Sequence, residues 1–365
     1  MKKKKILLTI IFIIVISSFI IFYKTNEKTI NDDVAQDIVQ EDATINEETT
    51  QEEVEIQNDI VDVEIDINPD GTCIYDSGSN FGYRYGPTML INDDGSIDAW
   101  FSRPGNNGSM WDYICYRHRD VDGNWSDEEV VLKPTSGSLD SYSVCDPGVI
   151  YFDGYYYIGY TGTNSSDGLR NQIFVARSDK PNGIYEKWNG SSWGGDPMPI
   201  VKYEGDYWGV GEVSFVIDGN DPNEMYCYYS YKEYSEDSMR CSKVDVCEDW
   251  PSTIRYKCKS FAKDLEECSS DVVYLKDKNI YLAFSIGKRM SEKSRVLVHY
   301  SLNGKNFEYL DKYKDVIMPN AHNMGISKHL DGHIESNDDL YICYAYSTDN
   351  KWGRWKTYIQ EIDVK

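Results

Sequence analysis

Asp146-Pro147-Gly148-Val149-Ile150-Tyr151-Phe152, then Asp153-Gly154, then Tyr155-Tyr156-Tyr157-Ile158-Gly159-Tyr160, is the stretch that decides the fold. A polar lead runs into an apolar strand, an Asp-Gly turn reverses the chain, and a strongly aromatic strand returns. Turn chemistry of this type between two β-rich runs predicts a hairpin. The same unit recurs on both sides. Upstream it reads Gly86-Pro87-Thr88-Met89-Leu90-Ile91, a turn at 92–95, and Ile97-Asp98-Ala99-Trp100-Phe101. Downstream, Gly211-Glu212-Val213-Ser214-Phe215-Val216-Ile217 precedes Met225-Tyr226-Cys227-Tyr228-Tyr229. Ser270-Asp271-Val272-Val273-Tyr274-Leu275 precedes Ile280-Tyr281-Leu282-Ala283-Phe284. A weaker fifth copy joins Met324-Gly325-Ile326-Ser327 to the aromatic run 340–346.

The copies start near 86, 146, 212, 271 and 324, at spacings of 60, 66, 59 and 53 residues. Further strand-like runs follow each aromatic strand, such as 111–117, 128–132 and 172–177. Repeats of this length, each with several short strands, predict an all-β, five-bladed β-propeller. Alternation alone also fits a sandwich, but a repeat of blade length argues against it. Two turns, 119–125 and 301–307, have the form of degenerate Asp-box hairpins, in which Asp or Asn braces its own backbone ahead of a packed aromatic.

The N-terminus differs from this body. Lys2 to Lys5 precede an uninterrupted apolar run from Ile6 to Tyr23. As a helix, that length would rise about 27 Å, close to the hydrocarbon core of a bilayer. The leading lysines place the start in the cytoplasm and the rest outside. Residues 1–23 are therefore expected to form a transmembrane signal-anchor helix, a cleaved signal segment being the competing reading. The protein is expected at the cell membrane with its C-terminal domain extracellular, or secreted if the segment is cleaved. Residues 24–66 are rich in Glu, Asp, Asn, Gln and Thr and read as a disordered acidic linker. Residues 67–365 form the propeller.

The whole chain has 365 residues and a net charge of −24. Removing the 15 acids and 6 lysines of residues 1–66 from totals of 61 and 37 leaves 46 against 31, a net −15. Such a surface repels phosphate backbones and argues against nucleic acid as a partner. Nine cysteines leave at least one outside any intramolecular pairing. The best placed for disulfides are Cys241, Cys247, Cys258 and Cys268. No zinc spacing, nucleotide-binding glycine signature or G-x-S-x-G elbow is present.

In a propeller the lead residues of the innermost strands converge on the axis. Asp146, Glu212 and Asp271 occupy that register and bring three carboxylates together. Clustered carboxylates raise the pKa of at least one member. Glycosidic cleavage needs a protonated acid and an ionised partner.

The segments 144–157 and 209–215 resemble glycoside hydrolase family 43 and its five-bladed relatives, over roughly residues 83–365. That resemblance implies a glycosidase acting on poly- or oligosaccharide, with Glu212 as general acid and Asp146 as the residue that tunes it. It also implies an Asp base at the start of the first blade, where this chain has Gly86, and a Gly-His on the fourth blade, where it has Ser270-Asp271. Three readings follow. Asp271 serves as base; Arg84 or Tyr85 supports a different mechanism; or the domain binds glycans without cleaving them. A sialidase-like enzyme ranks last, because it needs an arginine cluster and Arg84 alone is well placed. Trp111, Trp208 and Trp193 are candidates for stacking on sugar rings, and His322 and His333 for polar contacts, with Asn320 and Asn323 weaker. The acidic lining leaves a central calcium ion open, although no EF-hand-like loop is present.

Overall fold

The structure, a computed structural model, describes residues 63–64, 72–75, 82–105, 111–234, 236–261, 270–310, 319–348 and 354–364. The apolar run 6–23, nearly all of the acidic linker and Cys268 lie outside the described residues. Among the described residues no helix is long and apolar enough to cross a membrane. The secondary structure is strand, with two short 3-10 turns at Trp250–Thr253 and Lys276–Lys278.

The strands form four sheets of antiparallel meanders. One meander runs through Ser143–Phe152, Tyr155–Thr163, Gln172–Ser178 and Glu186–Lys187. The next runs through Gly209–Asp218, Asp221–Glu233, Glu236–Asp245 and Arg255–Lys259. A third contains Ser270–Leu275, Ile280–Gly287, Arg295–Ser301 and Glu308–Tyr309, with His333–Ile334 added in parallel.

The remaining sheet has nine strands and joins two meanders. Tyr85–Ile91, Ile97–Pro104, Asp112–Arg119 and Glu129–Leu132 make one. Ala321–His329, Leu340–Tyr346 and Lys356–Val364 make the other, edged by Val63–Glu64 and Thr72–Tyr75. Parallel pairing of Ser327 with Met89 and of His329 with Ile91 links the two. The innermost strands touch in cyclic order: 85–91 against 143–152, then 209–218, 270–275, 321–329 and back to 85–91. The repeat read from the sequence is this cycle.

The meanders pack through aromatic and β-branched side chains. Tyr157, Phe215 and Trp250 fill one interface, with Trp250 edge-on to both rings. Burying side chains of this size stabilises by about 1.5–3 kcal/mol each. The inner strands approach so closely that Gly148 has no room for a side chain; a Cβ there would stand 2.0 Å from the Val213 carbonyl oxygen. The two Asp-box-like turns close as expected. Asp120 Oδ1 accepts from the amides of Asp122 and Asn124. Asn303 Oδ1 accepts from those of Lys305 and Asn306.

Candidate active site

Four of the five innermost strands begin with the same irregularity. Pairing slips between Tyr85 and Thr88, between Cys145 and Gly148, between Gly211 and Ser214, and between Ala321 and Met324. Each slip sets two residues opposite one, a β-bulge that re-aims side chains. The bulged residues are Gly86-Pro87, Asp146-Pro147, Glu212-Val213 and His322-Asn323. Gly86, Asp146 and Glu212 have φ of 61°, 48° and 54°. A non-glycine residue in that region costs on the order of 1–3 kcal/mol and persists where surrounding structure enforces it.

Hydroxyls beside one bulge brace the next. Ser102, paired with Tyr85 just before the first bulge, accepts the Asp146 amide at 2.8 Å. Thr161, paired with Cys145 just before the second, accepts the Glu212 amide at 2.9 Å.

The bulges bring Asp146 and Glu212 into one cavity of about 250 Å³. Its walls include Tyr85, Trp111, Asp112, Trp208, Arg289 and His322. A smaller space of about 30 Å³ on the axis is lined by Gly86, Asp146, Glu212, Asp271 and Asn323.

The two carboxylates experience opposite fields. Burial alone would raise Glu212, but Lys232 at 3.4 Å and Arg289 at 2.7 Å, with the Ser230 hydroxyl at 2.7 Å, more than offset it. Glu212 is held ionised, well below the usual carboxylate range. Asp146 feels the Arg289 charge too, but it makes no ion pair among the described residues. Burial, then the negative charge of Glu212, pushes it up to about 7; the Cys145 thiol donates to Oδ2 at 3.3 Å and offsets this only in part. The surroundings thus separate the two carboxylates, Asp146 toward its protonated form and Glu212 toward its ionised form.

Of the other predicted positions, Tyr85, Trp111, Trp208 and His322 line the larger cavity. Trp111 is 40% exposed. The His322 ring is packed between Tyr85 and Trp355, and burial, then the Arg289 charge, holds it neutral.

Three positions serve elsewhere. Arg84 is buried and grips Glu128 with two nitrogens, at 2.6 and 2.8 Å. It is not among the residues lining either cavity. His333 packs on Tyr274, with Nε2 2.7 Å from the Ile217 carbonyl oxygen, away from both cavities. Asp271 lies in an unslipped stretch opposite Phe284. Its Oδ1 accepts from Lys328 at 2.6 Å and Ser214 at 2.7 Å, and its Oδ2 from the Ile326 amide at 3.0 Å. Without a bulge to re-aim it, Asp271 pins three inner strands together and is not among the walls of the larger cavity. Trp193 meets Trp188 edge-on and carries the Arg177 guanidinium over its ring. Asn323 Oδ1 accepts the Gly86 amide.

Sequence reasoning missed Arg289, Lys232 and Asp112. Asp112 starts a third strand, where no repeat register points to the axis. Its carboxylate accepts from Tyr83 at 2.5 Å and Tyr85 at 2.8 Å, and burial pushes it up to about 6. Arg289 sits on a loop between strands, and only its left-handed neighbours, Lys288 and Met290, mark it. Among the described residues no group of three or more His, Cys, Asp and Glu side chains is placed to hold a metal ion.

No protein-family profile matches the chain, and no curated protein matches it in sequence. Solved structures do. A family 117 glycoside hydrolase, Zg3597 of Zobellia galactanivorans, superposes with a TM-score of 0.57 at 14% identity, over 83% of this chain and 90% of its own. CoXyl43, a family 43 β-xylosidase/α-arabinofuranosidase from a compost metagenome, gives 0.54 at 13%, over 80% and 94%. A family 43 subfamily 1 enzyme of Xanthomonas citri, solved with xylotriose, gives 0.55 at 13%, over 79% and 89%. In fold, this chain resembles the β-propeller glycoside hydrolases of families 43 and 117.

Proposed function

We propose that the chain is a glycoside hydrolase that cleaves oligo- or polysaccharide in the 250 Å³ cavity. The observation that carries this reading is the split carboxylate pair, one acid near neutrality and one held ionised, in a cavity flanked by two tryptophans. A pair whose environments separate its pKa values supplies both halves of acid–base chemistry. Asp146 gives its proton to the leaving oxygen. Glu212 stabilises the developing positive charge and orients water or attacks directly. Trp111 and Trp208 offer apolar faces to the sugar ring. The cycle of meanders is read as five blades. The apolar run 6–23 is read as an anchor that displays the propeller outside the cell, or as a segment removed on secretion.

Gly86 favours a second reading, a propeller that binds glycan without cleaving it, because the first bulge carries no carboxylate. The test is turnover of a panel of xylan-, arabinan- and galactan-derived oligosaccharides by the wild type and by Glu212→Gln. Products from the wild type and none from a folded variant support the hydrolase. Binding without product from the wild type supports the lectin-like reading.

A further inference from the structure

We propose that Cys241 and Cys258 are a redox pair that closes into a disulfide across the outer edge of the 209–259 meander. The two residues are direct partners in the antiparallel ladder between Glu236–Asp245 and Arg255–Lys259. Directly opposed residues have Cα atoms about 4.5–5.5 Å apart, inside the roughly 4.4–6.8 Å span of a disulfide. The ladder slips between Cys241 and Ser242. The slip lies directly beside the pair, and a bulge re-aims the side chains next to it.

The chemistry of the pair is asymmetric. Cys241 is buried, with no measurable exposure, whereas Cys258 is half-buried at the edge. The Cys241 thiol hydrogen-bonds Cys258 as a thiolate, and the Lys305 charge adds to this, so Cys258 is held down at about 6. Burial pushes the thiols of Cys115, Cys145, Cys227, Cys241 and Cys343 up. A reachable thiolate beside a buried thiol is the arrangement of an attacking and a resolving cysteine.

The oxidant is a disulfide, either a small one such as oxidised glutathione or the active-site disulfide of a thiol oxidase. The Cys258 thiolate attacks one of its sulfurs and expels the other as thiolate, giving a mixed disulfide. Cys241 then loses its proton, attacks Cys258 Sγ and expels the second thiolate. Two protein thiols are oxidised and one disulfide is reduced to two thiols.

The pair also sits on a seam. Cys258 Sγ is 3.5 Å from the Lys305 carbonyl oxygen and Cys241 Sγ 4.0 Å from that of Gly304, both in the turn of the neighbouring meander. Just beyond, Ser260 accepts the Phe307 amide through its carbonyl. Oxidation would fix the edge strand that makes this junction.

The full chain, reduced and then exposed to oxidised glutathione at pH 7, would be alkylated and digested without reduction. The expected product is a peptide linked through Cys241 and Cys258, with Cys258 glutathionylated first in Cys241→Ser. Oxidation should raise Tm by roughly 5 °C for the wild type and leave Cys258→Ser unmoved. Both thiols recovered alkylated, or Cys258 linked to any other cysteine, would overturn the proposal.

Discussion

Arg289 Nη1 stands 2.7 Å from Glu212 Oε1, brought there by a loop that passes through left-handed backbone at Lys288 and again at Met290. The loop is further tied by the Met290 amide to the Ala321 carbonyl and by the Asn320 amide to that of Ser291. A buried carboxylate stays charged only beside a cation placed this firmly.

Arg289→Gln should therefore raise the Glu212 pKa. In the proposed mechanism Glu212 is the ionised partner, so a higher pKa moves the acid limb of the kcat/KM profile to higher pH. A shift of at least about one unit is expected at the acid end of the profile, with little change at pH 6, where Lys232 and Ser230 still keep Glu212 ionised. Arg289→Lys keeps the charge but not the fork, and should recover part of the shift. A profile unmoved in Arg289→Gln would mean that Lys232 alone holds Glu212.

Asp146 couples activity to stability with opposite signs. In the proposed mechanism its protonated form is the active one; that form disappears as pH rises through about 7, so wild-type turnover should fall above that value. Its pKa is raised on folding, so its contribution to stability is fully present below the unfolded value of 3.8 and is lost as pH rises through about 7. Asp146→Asn should cut kcat by about 10²–10⁴ on substrates with poor leaving groups, and far less on nitrophenyl glycosides. The same variant should melt higher than the wild type at pH 8. Chemical denaturation beside the rate profile checks both.

The hairpin repeat could be read from the sequence because period-2 apolar patterns and Asp-Gly turns are local signals. Asp146 and Glu212 could be placed because the repeat gave their register. What one register cannot show is where it slips. Asp271 has the right spacing but pairs regularly with Phe284; it lines the small axial space and binds Lys328, outside the larger cavity. Arg84 lies two residues before Gly86 in sequence, yet its side chain leaves for Glu128. Arg289, Lys232 and Asp112 come from loops and outer strands, and only tertiary packing directs them to the axis. Glu212 was assigned as acid by resemblance, and the two cations that hold it ionised were among the residues the sequence could not place.

Lys328 and Asp271 should separate structural from catalytic carboxylates. Lys328 is wholly buried and its Nζ lies 2.6 Å from Asp271 Oδ1. Lys328→Met leaves that carboxylate unpaired and should cost about 3–5 kcal/mol in denaturant unfolding. Asp271→Asn keeps an acceptor for Ser214 and the Ile326 amide, and should cost less. At a temperature where Asp271→Asn is folded, kcat should stay within about threefold of wild type. A loss of 100-fold or more there would restore Asp271 as a catalytic base.

His299 should set the acid limit of the fold. It is fully buried, packed against Phe261 at 4.3 Å and Tyr309 at 5.2 Å, and neither ring nitrogen has a hydrogen-bond partner among the described residues. Burial holds it neutral and lowers its pKa from 6.5 to about 3. Between those values the unfolded chain binds a proton that the folded chain refuses. Stability from this group is full above pH 6.5 and falls with pH toward 3, by at most about 1.4 kcal/mol per unit. His299→Phe removes the titration and offers a ring that fits among Phe261 and Tyr309. Its unfolding free energy should therefore vary less with pH from 6.5 down to 4 than that of the wild type, in urea titrations at each pH. Equal slopes for the two proteins would show that His299 gains a proton without unfolding.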